Sequence, residues 1–216
     1  MRSRLSLSVA ALVLPLLTIH LCWLVSSLEG YIDWCVPYTG PCTSISRAGR
    51  YGTAWWLFKL LMIPASVLMI HYWWACRRWL HACTGKWRDS LLWLGAGAGV
   101  ALLVYTLALG AGPGLYTVLR RAGVILFFAF SFLALLRVAV ALREQPRWRL
   151  SGQRLLYYSL MLLGIGIGSV LHDVIDPVGH EQWEDVYEWW LALLLLSQAV
   201  WVLLIQWRSG WPHARV

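Results

Sequence analysis

Residues 187–207 read YEWWLALLLLSQAVWVLLIQW, and Glu188 is their only charged residue. A helix needs roughly 20 apolar residues to cross a hydrocarbon core, and this segment supplies them. Five more segments read the same way: Leu5–Ser27, Thr53–Ala75, Leu91–Ala111, Arg120–Leu142 and Leu155–Leu171. Lipid offers no hydrogen bonds to an exposed backbone, so each span must satisfy its own polar groups, as a helix does. Apolar runs without strict alternation favour helices over barrel strands. The expected fold is all-α: a polytopic membrane protein with a single bundle of six transmembrane helices. The spans consume most of the 216 residues, so one membrane domain is expected over 1–216.

Composition agrees. Apolar residues make up 60% of the chain and charged ones 13%, about half the charged fraction of a soluble domain. The formal net charge of +8 invites a nucleic-acid reading, but the placement of the charges argues for topology instead. With a cytoplasmic amino terminus, Arg2, Arg4, Arg77, Arg78, Lys86, Arg88, Arg143, Arg147, Arg149, Arg154, Arg208 and Arg215 all lie inside. The acids Glu29, Asp33, Asp173, Asp176, Glu181, Glu184, Asp185 and Glu188 lie outside. The positive-inside rule therefore selects cytoplasmic termini, and no nucleic-acid partner is expected. Arg2 and Arg4 before an apolar core also resemble a secretory signal. The apolar run is long for one and no clear small-x-small cleavage site follows, so a retained helix is expected.

Trp is abundant, with 16 residues. Trp34, Trp55, Trp56, Trp183, Trp189 and Trp190 fall at outer span ends. Trp73, Trp74, Trp79, Trp87, Trp93, Trp148, Trp207 and Trp211 fall at inner ones. This is the pattern of an interfacial aromatic belt. Cys35 and Cys42 bracket a Pro-Tyr-Thr-Gly-Pro turn in the first outer loop, where an oxidising compartment permits a disulfide. Cys76 and Cys83 fall on the reducing side and are expected as free thiols. Gly95 with Gly99, and Gly164 with Gly168, form small-xxx-small faces. Such faces let helices approach closely in lipid, and a seam between spans three and five is expected. Pro64 should kink span two.

Three groups of residues are candidates for chemistry. Arg120, Arg121 and Lys59 lie on the side that should be poor in basic residues, and ionisable groups at membrane depth are usually functional or paired. Arg suits bidentate phosphate contact, so these three are candidates for holding a lipid headgroup. Pairing with Glu184, Asp185 or Glu188 is the alternative. The second group is His172-Asp173-Val174-Ile175-Asp176-Pro177-Val178-Gly179-His180. His172, Asp173 or Asp176 would serve as general base. His172, Asp176 and His180 are weak metal-ligand candidates. His172 and Asp176 would align on one helical turn, which Pro177 and Gly179 should break, freeing His180; a solvated acidic loop that pairs with the Arg120–Arg121 end is the plainer reading. The third is Glu188, a headgroup ligand or simply a carboxylate favoured at a helix amino terminus. No Gly-rich phosphate loop, Gly-x-Ser-x-Gly elbow or His-Glu-x-x-His motif is present, and no cofactor is expected.

Residues 41–74 read PCTSISRAGRYGTAWWLFKLLMIPASVLMIHYWW. This stretch resembles the first-loop motif of the Frag/DRAM/Sfk-type membrane proteins (CWH-like amino-terminal domain), relatives of the protein that remodels GPI lipids after attachment. Ser44-Ile45-Ser46 and Gly49 fit that motif, and Trp55, Trp56 and Phe58 supply its aromatics. Glu188 with Trp189 is similar to the family's Glu-aromatic pair opening its last helix. Where family members often carry a His near the start of span four, this chain has Arg120 and Arg121. The resemblance implies lipid handling at a headgroup pocket facing the outer leaflet. Ser44 and Ser46 would be nucleophiles or headgroup ligands, or caps of a helix. Membrane lipids are the expected partners. A non-enzymatic scaffold, bound to another membrane protein or to its own copy, is the alternative, and a metal-dependent membrane hydrolase is a second. Arg greatly outnumbers Lys, which suits a GC-rich bacterial genome and hence an inner membrane.

Overall fold

The computed structural model describes residues 2–112 and 114–209, without the side chains of residues 2–4, 181 and 182. The sequence readings on the side chains of Arg2, Arg4 and Glu181, and on Trp211 and Arg215, lie outside the described residues. Six long apolar helices build the molecule: α1 (Arg2–Leu28), α3 (Gly52–Thr84), α4 (Asp89–Ala108), α5 (Leu115–Arg143), α6 (Arg149–Ile175) and α7 (Pro177–Arg208). A single turn, α2 (Ile45–Ala48), interrupts the first loop. All six long helices are apolar and long enough to span a bilayer, and the chain is a polytopic membrane protein.

The helices neighbour one another in chain order: α1 on α3, α3 on α4, α4 on α5, α5 on α6 and α6 on α7. Contact between α1 and α7 closes the ring. One end of the bundle, here the loop end, carries the first loop, the α4–α5 connection and the α6–α7 corner. The other, the terminal end, carries the two remaining connections, the start of α1 and the end of α7.

Helix ends explain why the observed helices outrun the expected spans. α3 has 33 residues, roughly 50 Å, against a core of about 30 Å. It runs on through Pro64, which has no N–H to donate to the Leu60 carbonyl. It stops where Gly85 turns left-handed at φ 69° and its N–H caps His81. The stretch expected as a solvated loop after His172 is largely helical. α6 runs to Ile175, and Pro177 opens α7 one residue later. Pro is suited to a first helical position because no partner is needed for its missing N–H. The Asp176 carboxylate accepts from the Gly179 N–H at 3.0 Å and caps the helix. Pro177 and Gly179 thus start a helix rather than free His180 from one.

The two glycine faces do not meet. A Cβ on Gly95 would strike the Trp73 side chain, and one on Gly99 would lie 2.8 Å from the Ser66 carbonyl, so this face packs on α3. Cβ atoms on Gly164, Gly166 and Gly168 would meet nothing within 4 Å. The expected seam between spans three and five fails because the ring places α5 between α4 and α6. The aromatic belt also needs revision. Trp34, Trp56, Trp87, Trp93 and Trp207 are exposed at the ends, but Trp73, Trp79 and Trp189 are buried. The indole N–H of Trp79 and of Trp189 finds an oxygen inside the protein, which makes burial tolerable.

The core divides in two. One cluster joins Tyr72, Trp73, Cys76, Trp79, Leu135, Leu142, Leu155 and Val202 toward the terminal end. The other joins Ile19, Cys22, Ile45, Phe58, Leu102, Tyr105 and Trp189 under the first loop.

Candidate functional site

Three consecutive residues of α7 fasten the first loop. The Ile45 N–H donates to Glu188 Oε2 at 3.2 Å. Trp189 Nε1 donates to the Thr43 carbonyl at 2.7 Å, and Trp190 Nε1 donates to the Tyr38 carbonyl at 3.0 Å. Ser26 Oγ adds a bond to the Ala48 carbonyl at 2.7 Å. Cys35 and Cys42 are joined by a disulfide, which closes the turn between them. Ser44 caps α2 by accepting from the Arg47 N–H at 3.1 Å, and its hydroxyl lies 3.3 Å from Ser46 Oγ. Tyr38 reaches down to α1, where its hydroxyl lies 2.8 Å from His20 Nε2. His20 Nδ1 lies 2.7 Å from the Leu16 carbonyl and must carry the proton there. Nε2 is then the acceptor and Tyr38 the donor. Burial pushes the Tyr38 hydroxyl up from its ordinary value, which keeps that proton in place.

Beside this loop a chamber of about 560 Å³ opens between α5, α6 and α7. Arg120, Arg121, Val124, Ile125 and Phe128 line it from one face of α5, and Glu184, Glu188 and Leu191 from one face of α7. These are helical spacings of three and four, so each set stacks on one side of its helix. Ser44, Ser46, Asp185, Tyr187, Ser169 and His180 complete the wall. Arg50 and Arg121 add positive charge around Arg120, and Glu188 opposes it. Among the described residues the direct ion pairs are Arg77–Asp89, Arg88–Glu144 and His180–Asp173. The chamber's arginines and glutamates therefore face one another across it without touching.

Tyr105 forms the floor. It is 4% exposed, and its hydroxyl has no hydrogen-bond partner. An unmet buried hydroxyl costs about 1–3 kcal/mol. A second cavity adjoins the chamber. Phe128 and Leu191 are shared with an apolar groove of about 410 Å³ between α5, α6 and α7. Phe132, Leu162, Ile167, Val170 and Leu195 line this groove, and Gly166 leaves room in its wall.

The candidates from the sequence fall into two sets. Ser44, Ser46, Arg120, Arg121 and Glu188 meet at the chamber. Lys59 does not. It lies on α3, with Nζ 4.2 Å from the centre of the Trp55 ring and donating to the Leu107 carbonyl at 3.4 Å. A cation is favoured there because the last carbonyls of α4 are its neighbours. His172, Asp173 and Asp176 do not form one site either. Asp176 is spent as a cap, and His172 Nδ1 meets the Tyr187 hydroxyl at 3.4 Å. Asp173 turns to His180, with 3.4 Å between Oδ1 and Nδ1. Among the described residues no three of His, Cys, Asp and Glu, His172, Asp176 and His180 included, assemble at metal-binding spacing.

Sequence reasoning passed over Arg50, Tyr105, Ser169 and Tyr187. Arg50 carried a usable signal, since it lies on the side that topology leaves poor in basic residues. Compared with known proteins, the chain matches no family model, no curated protein and no solved structure.

Proposed function

We propose that this protein holds a membrane lipid, with the headgroup in the chamber and an acyl chain in the groove. One observation carries the reading: a chamber lined by unpaired charge adjoins an apolar groove, with Phe128 and Leu191 lining both. A phospholipid has that same division. Arg120 and Arg121 hold the phosphate, for which guanidinium geometry is well suited. Ser46 and Glu188 contact the rest of the headgroup, and the Tyr105 hydroxyl donates to it from below. The resemblance to Frag/DRAM/Sfk-type proteins points the same way. The Lys and Arg distribution puts the chamber in the non-cytoplasmic leaflet and both termini in the cytoplasm.

The test is lipid mass spectrometry on protein extracted with its surrounding membrane. One phospholipid class should be enriched over the bulk membrane. The double variant Arg120→Ala, Arg121→Ala should lose that enrichment by about 10-fold or more, since charge-assisted hydrogen bonds are each worth about 1.5–3 kcal/mol. A wild-type profile equal to the bulk membrane would remove the reading.

The scaffold reading has one observation of its own, the open glycine face of α6. Close helix packing on such faces is common in membranes. Crosslinking in native membranes should trap a stoichiometric partner that Gly164→Leu abolishes; a chain that stays uncrosslinked sets this reading aside.

A further inference from the structure

Ser169, His180 and Asp173 stand in line at the chamber wall. Ser169 Oγ lies 3.1 Å from His180 Nε2, and His180 Nδ1 lies 3.4 Å from Asp173 Oδ1. The chain makes this line because α6 and α7 turn back on each other at Asp176. Ser169 and Asp173 are four apart on α6 and share a face, and His180, one turn into α7, faces both. The imidazole is clamped. Tyr187 stacks on it at 5.9 Å and 18°, and His172 meets it edge-on at 5.5 Å. Its side chain is 14% exposed, whereas that of Asp173 is 61% exposed.

Ser169 differs from other hydroxyls inside this bundle. Thr18, Thr106 and Ser159 each donate to the carbonyl four residues earlier, the usual way to satisfy a hydroxyl on a helix. Ser169 is bonded to an imidazole instead. The Asp173 carboxylate, at ion-pair distance from Nδ1, favours a proton on that nitrogen and leaves the Nε2 lone pair for the serine hydroxyl, which is the arrangement of an activated nucleophile. Ser169 also sits at the junction of two environments. It lines the polar chamber, while Gly166 and Val170 on either side of it line the apolar groove.

We propose that Ser169 and His180 are catalytic residues that cleave a fatty-acyl ester of a glycerophospholipid, with Asp173 as the positioning residue. The proposal rests on the lipid reading above. Ser169 Oγ bonds to the ester carbonyl carbon while His180 Nε2 takes its proton. The bond from that carbon to the glycerol oxygen breaks, and the leaving oxygen takes the proton from His180. Water then attacks the acyl-serine, gives a proton to His180 and releases the fatty acid, and the proton returns to Ser169 Oγ. Ester and water become a fatty acid and a lysolipid, with no change of oxidation state. Arg120 and Arg121, anchored on the phosphate, set which ester reaches Ser169.

The full chain, reconstituted in phosphatidylethanolamine–phosphatidylglycerol vesicles, is treated with a fluorophosphonate probe and digested for mass spectrometry. Released lysolipid and retained phospholipid are measured in parallel. The expected result is an adduct on Ser169 together with lysolipid release. Ser169→Ala should abolish both, and His180→Gln should lower both by about 10²–10⁴-fold. Both variants should retain bound phospholipid, which reports an intact fold and keeps the lipid reading separate. Asp173→Asn should lower turnover on the order of 10²-fold and change its pH profile, because it no longer holds the imidazole tautomer. Wild-type protein that retains phospholipid but forms neither adduct nor lysolipid overturns the proposal and leaves lipid binding standing. An adduct on protein carrying only bulk lipid overturns the lipid ester as substrate.

Discussion

The two ends of this bundle treat polar groups differently. At the terminal end charges are paired directly, Arg77 with Asp89 and Arg88 with Glu144. Large aromatics fill the interior there: Tyr72 donates to the Ala199 carbonyl at 3.0 Å, and Trp79 Nε1 donates to Ser209 Oγ at 2.9 Å. At the loop end, charges of both signs face one another across a chamber, and the Tyr105 hydroxyl is buried without a partner. Composition does not explain the contrast, since both ends are rich in Trp and Arg. Both ends bury polar atoms without a partner, among them Ser8 Oγ and Trp73 Nε1 at the terminal end and Ser27 Oγ and the Tyr105 hydroxyl at the loop end. What sets the loop end apart is that its arginines and glutamates line a chamber instead of closing on one another, which is the layout expected of a binding site rather than a core.

The sharpest way to break this comparison is through the glycines. A Cβ on Gly123 would lie 2.8 Å from the Tyr105 backbone nitrogen and 2.9 Å from the Ala101 carbonyl, atoms that cannot rotate away. Gly123→Val should cost about 1–3 kcal/mol or more, read as a fall in melting temperature in detergent. Gly168→Val, on the open face of α6, should leave the melting temperature within a degree or two. Equal losses would mean that a partner covers the α6 face.

The next effect concerns the first loop. Replacing Cys35 and Cys42 with Ser should cost about 2 kcal/mol, the loop-closure value for so short a ring. The loss should appear as earlier proteolysis of residues 29–51, because the other ties of the loop to α7 are noncovalent: hydrogen bonds to Glu188, Trp189 and Trp190 and the packing of Tyr38 on both indoles. A reductant should reproduce it in the wild type and add nothing in the double variant.

The smallest effect sharpens the comparison most. Tyr72→Phe removes a made hydrogen bond and should cost about 1 kcal/mol. Tyr105→Phe removes a hydroxyl that has no partner and should be neutral or stabilising by up to about 1 kcal/mol, while lowering phospholipid retention. Thermal unfolding of the lipid-stripped variants decides between these outcomes. A matching loss at both positions would show that Tyr105 is satisfied in the folded protein.

How far the sequence could be read depended on what each residue must satisfy. Arg120 and Arg121 were legible as candidates because a cation on that side of the membrane demands a reason, and both line the chamber. Lys59 met the same criterion but lies against Trp55 instead, since depth along a helix says nothing about which neighbour a face meets. Gly95 and Gly99 were legible as a packing face, but their partner is α3 rather than the glycine face of α6. His172 and Asp176 looked like a pair at helical spacing, but Asp176 is needed as the cap that allows α7 to restart at once. Ser169 carried no signal at all, being one hydroxyl among many in an apolar run.

By itself the sequence determined that this chain crosses a membrane as helices, and how many. That follows from a local requirement: each span must bury its own backbone hydrogen bonds in hydrocarbon. It also separated a basic from an acidic set of connections, whereas the helix ends at Gly85 and at Asp176-Pro177 came to light only in the structure. Only the tertiary structure decided which faces meet. The closing of the ring between α1 and α7, the clamping of the first loop on Glu188–Trp190, and the meeting of Ser169 with His180 all depend on helix rotation and neighbour choice. In lipid those are set by packing between side chains far apart in the chain.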